Sequence, residues 1–460
     1  MTAPVTSELL RKYDRPGPRY TSYPTAVEFH DRFTAAHYAD RLRAANAAGD
    51  EPLSLYIHIP FCEERCSFCG CHVIITPHHE RAAEYLDHLY REIDLLAAHL
   101  PERRRLVQYH WGGGTPTYLN VAEIRALAAR VREHFTIDAD AEVAIEIDPR
   151  VTTHEQVDAL RELGFNRLSM GIQDFTPEVQ AAINRNQGEA ETRELFGYAR
   201  AAGFASINVD LIYGLPLQTP ATFRRNLDSV IAMRPDRVAC YSFAHVPWVR
   251  GNQKGIEVET LPPPEVKIEL FAEAIDCFRT AGYRQIGMDH FALPEDELAQ
   301  AVEKGTLHRN FMGYTTKVAS DMLGLGVSAI GDVRGAFAQN EKKLSTYYAD
   351  TAAGRFPIHR GFEMSPDDHI RRFVITRLMC NFVLRKPEVE ERFGIVFDDY
   401  FARELAELAA GPAPECFIAL GEPELRVLPL GQLFIRNICM VFDAYLGAKP
   451  EDKPVFSRTV

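Results

Sequence analysis

Four cysteines fall within ten residues in Tyr56-Ile-His-Ile-Pro-Phe-Cys62-Glu-Glu-Arg-Cys66-Ser-Phe-Cys69-Gly-Cys71. The C-x3-C-x2-C spacing follows an apolar, strand-like run, so one short loop can bring three thiolates onto a small metal centre. Three ligands on a four-iron cube leave one iron free for a further ligand, and that open corner can do chemistry. Two plainer readings compete. Structural zinc uses paired C-x2-C knuckles separated by a longer excursion, whereas these four cysteines crowd into one loop. Disulfide pairing suits neither the odd count of nine cysteines nor a start, Met-Thr-Ala-Pro-Val-Thr-Ser, without a basic or apolar leader. The open cubane is the favoured reading.

Other groups suggest a ligand around that loop. Trp111-Gly-Gly-Gly114-Thr115-Pro-Thr117 lets a ligand approach a backbone with no Cβ in the way, and its amides can donate to an anion. A tight structural turn would read similarly. Glu146 sits in an apolar run and needs a partner, either an interior arginine or a bound ligand. Gln173, Arg185 and Asp210 complete a ring of polar groups; Arg185 suits a carboxylate and Asp210 suits hydroxyls. Cys71 is either a small core residue or a reactive neighbour of the cluster. Cys240, Cys277, Cys380, Cys416 and Cys439 lie among apolar residues and read as core.

The elements that must position these groups alternate. Strand-like runs span Leu53–Phe61, Val107–Trp111, Ala141–Ile147, Arg167–Ile172, Ala205–Tyr213 and Val238–Phe243, with amphipathic helices between them; Leu86, Leu89, Ile93 and Leu96 share one helical face. Six such units predict an α/β fold, a partial (β/α)6 barrel with right-handed crossovers and its site at the C-terminal strand ends. The predicted organisation is an N-terminal arm over the active site (1–50), the barrel with the cluster loop (51–255), an extension with linkers (256–362) and a mainly helical C-terminal domain (363–460). Ser365-Pro366-Asp367-Asp368 reads as an N-cap opening the helix Ile370–Phe382. A strand at Glu424–Leu428 precedes a last helix through Ile435–Leu446, a pairing that suggests a winged helix.

Composition narrows the function classes. With 46% hydrophobic and 25% charged residues in 460, the chain is globular, and no apolar stretch is long enough to span a membrane. A cytoplasmic or otherwise reducing compartment suits the cysteines. The net charge of −13 argues against nucleic acid. An anionic ligand would need local basic help, and Arg11, Lys12, Arg15 and Arg19 offer it; the alternative is a solvated, partly disordered arm.

The cysteine loop, with Phe68 before its third cysteine, resembles that of the radical S-adenosylmethionine (SAM) enzymes. Further motifs narrow this: Arg19-Tyr-Thr-Ser-Tyr-Pro-Thr-Ala26, His110-Trp-Gly-Gly-Gly-Thr-Pro-Thr117, Asn166-Arg-Leu-Ser-Met-Gly171, Ile286-Gly-Met-Asp-His-Phe291, His308-Arg-Asn-Phe311, Gly313-Tyr-Thr-Thr316 and Arg436-Asn-Ile-Cys-Met440. Together, over nearly the whole chain, they resemble the oxygen-independent coproporphyrinogen III oxidases. The resemblance implies a radical SAM partial barrel whose [4Fe–4S] cluster is held by Cys62, Cys66 and Cys69. It implies two SAM molecules, one contacted by Tyr56, Gly113, Glu146, Ala244 and Ile330, the other by Phe68, Gly114, Thr115, Gln173, Arg185 and Asp210. Tyr56, Glu146 and Cys71 form the expected catalytic set; whether Cys71 relays a hydrogen or shapes the pocket stays open. A 5′-deoxyadenosyl radical would convert two propionates of coproporphyrinogen III to vinyl groups, giving protoporphyrinogen IX in heme biosynthesis. Arg19, Tyr20, Tyr23 and Arg309 are candidate substrate contacts. An electron donor such as flavodoxin or ferredoxin and an unidentified acceptor are implied; a monomer is expected, without nucleic acid or membrane partners. A paralogue of the same superfamily, a heme chaperone or a porphyrin-degrading radical methyltransferase, is the nearest alternative, but the chaperone typically lacks both the arm motif and the Cys71 equivalent.

Overall fold

The computed structural model describes residues 7–448 and 456–459; the side chain of Arg11 lies outside the described residues. Leu53–Ile59 (β1), Arg105–Gly113 (β2), Thr136–Ile147 (β3), Arg167–Gln173 (β4), Ser206–Tyr213 (β5) and Arg237–Ser242 (β6) pair in parallel in chain order. Helices lie between them, as parallel crossovers require. The first, Glu80–His99, buries Leu86, Leu89, Ile93 and Leu96.

The sheet is wider than the six strands the sequence pattern predicts. Arg284–Gly287 (β7) and His290–Ala292 (β8) add an antiparallel hairpin beside β6. Asp321–Leu325 (β9) pairs in parallel with the outer edge of β1, and Ile330–Val333 (β10), Ala336–Asn340 (β11) and Ile358–Glu363 (β12) continue as an antiparallel meander. The order of the twelve strands is β12-β11-β10-β9-β1-β2-β3-β4-β5-β6-β8-β7. The β9 register is pinned by Arg103 and Asp321, an ion pair at 2.5 Å whose side chains are fully buried. Arg103 also donates to the carbonyls of Ala45, Glu51 and Pro52, so its charge is not left bare.

Two apolar cores result. The larger lies between the sheet and its helices. The second joins Tyr13, Tyr20 and Tyr23 of the arm to the C-terminal helices, so the described part of the arm is docked rather than a solvated tail. Ser365 accepts from the Asp368 amide at 3.2 Å and caps the helix Pro366–Asn381, with Pro366 at its first turn. The strands Val383–Arg385, Ile418–Leu420 and Glu424–Val427 form a small antiparallel sheet. The last helix is shorter than the pattern suggests, Ile435–Val441, and is followed by turns in which Asp443 accepts from Tyr20 and from the Tyr445 amide. Cys240, Cys277, Cys380 and Cys439 are buried as expected; Cys416 is instead exposed, at a turn with φ of +57°.

Candidate active site

The cysteine loop leaves β1 at its C-terminal end and returns as a two-residue parallel bridge, Phe61–Cys62 against Ile74–Ile75. Asn252 ties it from outside, its amide donating to the carbonyls of Cys66, Ser67 and Cys69 at 3.3, 2.9 and 3.1 Å. Gln253 adds a bond to the Phe68 carbonyl at 3.4 Å. Arg185 and Arg150 direct guanidinium nitrogens at the Cys66 sulfur, at 3.6 and 3.7 Å. Burial pushes the bare Cys62 thiol up to about 12. A hydrogen bond between Cys69 and Cys71 pulls Cys69 down to about 6 and pushes Cys71 well up. Thiols on one loop, with cations aimed at the most buried of them, fit an anionic iron–sulfur cluster that must be held without bulk water.

Beside the loop, the glycine run is packed closely on its Cβ side. A Cβ on Gly112 would meet the Glu146 carboxylate at 2.8 Å, one on Gly113 the His58 ring at 2.7 Å, and one on Gly114 the Phe61 carbonyl at 2.5 Å. The space the glycines leave is filled by protein. Their amides are also engaged: Gly113 donates to Glu146 at 3.1 Å, Gly114 to the Ile59 carbonyl at 2.8 Å and Thr115 to the Phe61 carbonyl at 2.9 Å. Gly113 has φ of +122°, a conformation glycine takes without strain.

Among the described residues Glu146 has no arginine partner. Its contacts are His110 at 3.4 Å and the Gly113 amide, and its side chain remains about half exposed. Burial pushes its pKa up, but His110 and the Gly113 amide pull harder, leaving it below the ordinary carboxylate range. His58 donates through Nε2 to the His72 carbonyl at 3.0 Å, so its Nδ1 must accept from the Tyr56 hydroxyl, also at 3.0 Å. Burial holds His58 down at about 4, hence neutral. The Tyr56 ring stacks on His110. This fixes Tyr56, Gly113 and Glu146 around one opening.

Across the strand ends, Arg185 already holds a carboxylate, that of Asp148, at 3.1 and 3.2 Å, and donates to the Gly171 carbonyl at 2.7 Å. Its buried Nε has no partner among the described residues. Arg150 shares Asp148 at 2.6 Å. Gln173 ends β4 in a left-handed conformation, φ +68°, a local strain common at ligand sites. Asp210 lies within β5 rather than at its end, accepting from Asn208 at 2.8 Å and Ser169 at 3.4 Å. Burial, then repulsion from Glu146, raises it to about 7. Phe68 packs with a small apolar cluster, while Ala244 follows β6 and Ile330 opens β10. Sequence reasoning named neither Arg150 nor Asp148 as site residues, although both follow the end of β3.

The arm residues converge elsewhere. Arg19 pairs with Asp289, covers the Tyr241 ring at 5.4 Å and offers its carbonyl to Arg309 at 2.8 Å. Arg309 also lines, with Tyr20, Tyr23 and Arg372, a cavity of about 20 Å³. Tyr20 donates to Asp443 at 2.9 Å, and Tyr23 accepts the Ala444 amide at 3.1 Å. Both tyrosines are buried, so here they anchor the arm to the C-terminal region.

Comparisons with known proteins agree with this geometry. Residues 56–230 match the Radical SAM superfamily and residues 364–413 the HemN C-terminal domain. The oxygen-independent coproporphyrinogen III oxidase of Escherichia coli (strain K12) is 46% identical over 98% of this chain and 98% of its own. That of Pseudomonas aeruginosa is 44% identical over 99% and 98%. The solved structure of coproporphyrinogen III oxidase (HemN) from Escherichia coli, described as a radical SAM enzyme, superposes with a TM-score of 0.90 at 46% identity, covering 93% of this chain and 98% of that one. The chain belongs to the oxygen-independent coproporphyrinogen III oxidases of the radical SAM superfamily.

Proposed function

We propose that this chain oxidatively decarboxylates two propionates of coproporphyrinogen III to vinyl groups without oxygen, giving protoporphyrinogen IX for heme synthesis. The full-length likeness to that family carries the reading, together with a thiol loop faced by Arg150 and Arg185 at the end of β1. Cys62, Cys66 and Cys69 would hold the [4Fe–4S] cluster. Tyr56, Gly113, Glu146, Ala244 and Ile330 would line the SAM on it, and Phe68, Gly114, Thr115, Gln173, Arg185 and Asp210 a second. When bound, these groups supply an electron and a carbon-centred radical that takes hydrogen from a propionate β-carbon.

The chain's own residues position and enclose. Arg150 and Arg185 donate to the Cys66 sulfur and bring positive charge to the side of the loop that an anionic cluster would occupy. His110 and the Gly113 amide orient Glu146, whose exposed oxygen can take an ammonium group. Arg19 and Arg309 give the local positive charge that a tetracarboxylate needs on a protein of net charge −13. A radical attacks whichever hydrogen is nearest, so selectivity lies in how these groups hold one carbon within reach. An electron donor such as flavodoxin or ferredoxin completes the cycle with an acceptor of unassigned identity. The net charge of −13 disfavours nucleic acid as a partner, and the protein is read as a cytoplasmic monomer.

An anaerobic assay of the reconstituted, reduced protein with SAM and coproporphyrinogen III tests the reading. Mass spectrometry should show 5′-deoxyadenosine together with loss of two carboxyl groups. Deoxyadenosine without decarboxylation would remove coproporphyrinogen III as the substrate.

A further inference from the structure

Arg436, on the short helix Ile435–Val441, is only 6% exposed. A buried guanidinium is costly unless its donors are met. Among the described residues its hydrogen bonds go to no carboxylate. Nε donates to the Pro18 carbonyl at 2.9 Å, Nη1 to that of Arg458 at 2.8 Å, and Nη2 to those of Gly17 and, at 3.3 Å, Ser457. One side chain therefore holds two segments far apart in sequence.

Those segments also hold each other. The Gly17 amide donates to Ser457 at 3.0 Å, the Thr459 amide to Arg15 at 2.9 Å and the Thr459 hydroxyl to Tyr13 at 2.8 Å. Asn437, the next residue on the helix, donates to Tyr13 at 2.7 Å. Gly17 sits so near the helix that a Cβ there would meet Met440 Sδ at 2.5 Å.

The arm runs directly from this clasp into Arg19, whose carbonyl receives Arg309 and whose guanidinium pairs with Asp289. Burial, then repulsion from Arg19, brings Arg436 itself down to about 9, so the two cations feel each other. Arg19 pairs with the Asp289 carboxylate, Arg436 feels the same charge, and Arg309 sits on the Arg19 carbonyl, so cations outnumber the carboxylate there and suit a further anion.

We propose that Arg436 is a positioning residue for the substrate. By fixing the Gly17 and Pro18 carbonyls it holds Arg19, and through it Arg309, at the spacing that receives a propionate carboxylate. The inference rests on the substrate reading above and adds a residue of the C-terminal region to it.

The test compares the wild-type protein with full-length Arg436→Met, Arg436→Lys and Thr459→Val, each anaerobically reconstituted. The dissociation constant for coproporphyrin III, the unreactive oxidised tetracarboxylate, is read by fluorescence quenching. KM and kcat for coproporphyrinogen III, the cluster spectrum and hydrogen exchange at residues 13–19 complete the set. Arg436→Met should weaken coproporphyrin III binding and raise KM by about tenfold, with kcat within about twofold, since uniform binding is what is lost. Its cluster spectrum should be unchanged and exchange at 13–19 faster, Arg436→Lys should recover part of the affinity, and Thr459→Val should fall between. Wild-type affinity in a variant whose arm exchanges faster overturns the inference. If Arg436→Met does not fold, Arg436→Lys and Thr459→Val decide by the same criterion. Failure of the wild-type protein to bind coproporphyrin III or decarboxylate its porphyrinogen would instead sink the substrate reading.

Discussion

The strand-end half of the site and the arm half are held by different means. Around the cysteine loop, groups exceed their partners: Glu146 and Asp210 repel each other, Arg185 keeps an unpartnered Nε, and Gln173 is strained. Around the arm, Tyr20, Tyr23, Arg19 and Arg436 each find a protein partner. Repelling carboxylates and backbone strain mark a surface arranged for a ligand's reacting end, whereas partnered arm residues mark a frame that holds its cations in place. Under the proposed function, chemistry and substrate orientation fall to separate parts of the chain.

Breaking either half should give distinct signatures. The largest effect is expected from Cys66→Ala, which should abolish cluster assembly and turnover while leaving coproporphyrin III binding intact; iron and sulfide analysis beside fluorescence quenching checks both. Arg19→Ala should do the reverse, raising KM about tenfold with the cluster spectrum unchanged. It should also destabilise the fold by roughly 3 kcal/mol in denaturant titration, because the buried Asp289 carboxylate loses its paired guanidinium and keeps the His290 contact. Loss of the cluster in that variant would erase the distinction between the halves.

Asp210→Asn probes the unbalanced half through pH. A carboxyl near 4 in the unfolded chain but held at about 7 in the fold keeps a proton that the unfolded chain has released, so stability falls as pH rises from about 4 to about 7. The asparagine variant should therefore be more stable than wild type at pH 8, by about 1–2 kcal/mol, with the gap closing towards pH 4. Parallel curves would show that Asp210 is not under strain. The smallest effect is expected from Tyr23→Phe, which removes the acceptor of the Ala444 amide and should cost about 1 kcal/mol with KM within about twofold. A tenfold rise in KM would mean that the hydroxyl serves the substrate rather than the arm.

What the sequence made legible was local. The cysteine loop spans ten residues, the helix Pro366–Asn381 announces itself through Ser365 and Pro366, and β1 to β6 follow from runs of apolar residues between amphipathic helices. What it hid depends on residues distant along the chain. Strand β9 is five residues long, opens on an acid and contains Gly324; the acid is buried because Arg103, far upstream, and Arg334 both meet it. That Glu146 and His58 pack against the Cβ positions of Gly112 and Gly113 was hidden too, because nothing in the glycine run's own neighbourhood shows it. Tyr20 and Tyr23 looked free to close over a substrate because their partners lie at Asp443 and Ala444.

The pairing of β9 with β1 also has a consequence for timing. β1 carries the cysteine loop, and β2 covers one of its sides soon after it is made, whereas the other side waits for Asp321–Leu325. Closing so long a loop is entropically dearer than pairing neighbours, so β9 is expected to dock after β1 to β6 have assembled. Until then a chain emerging from the ribosome presents β1 as an open edge, the kind of surface that recruits other strands. Iron delivered during synthesis would meet that half-finished platform, and iron delivered afterwards a loop already braced on both sides.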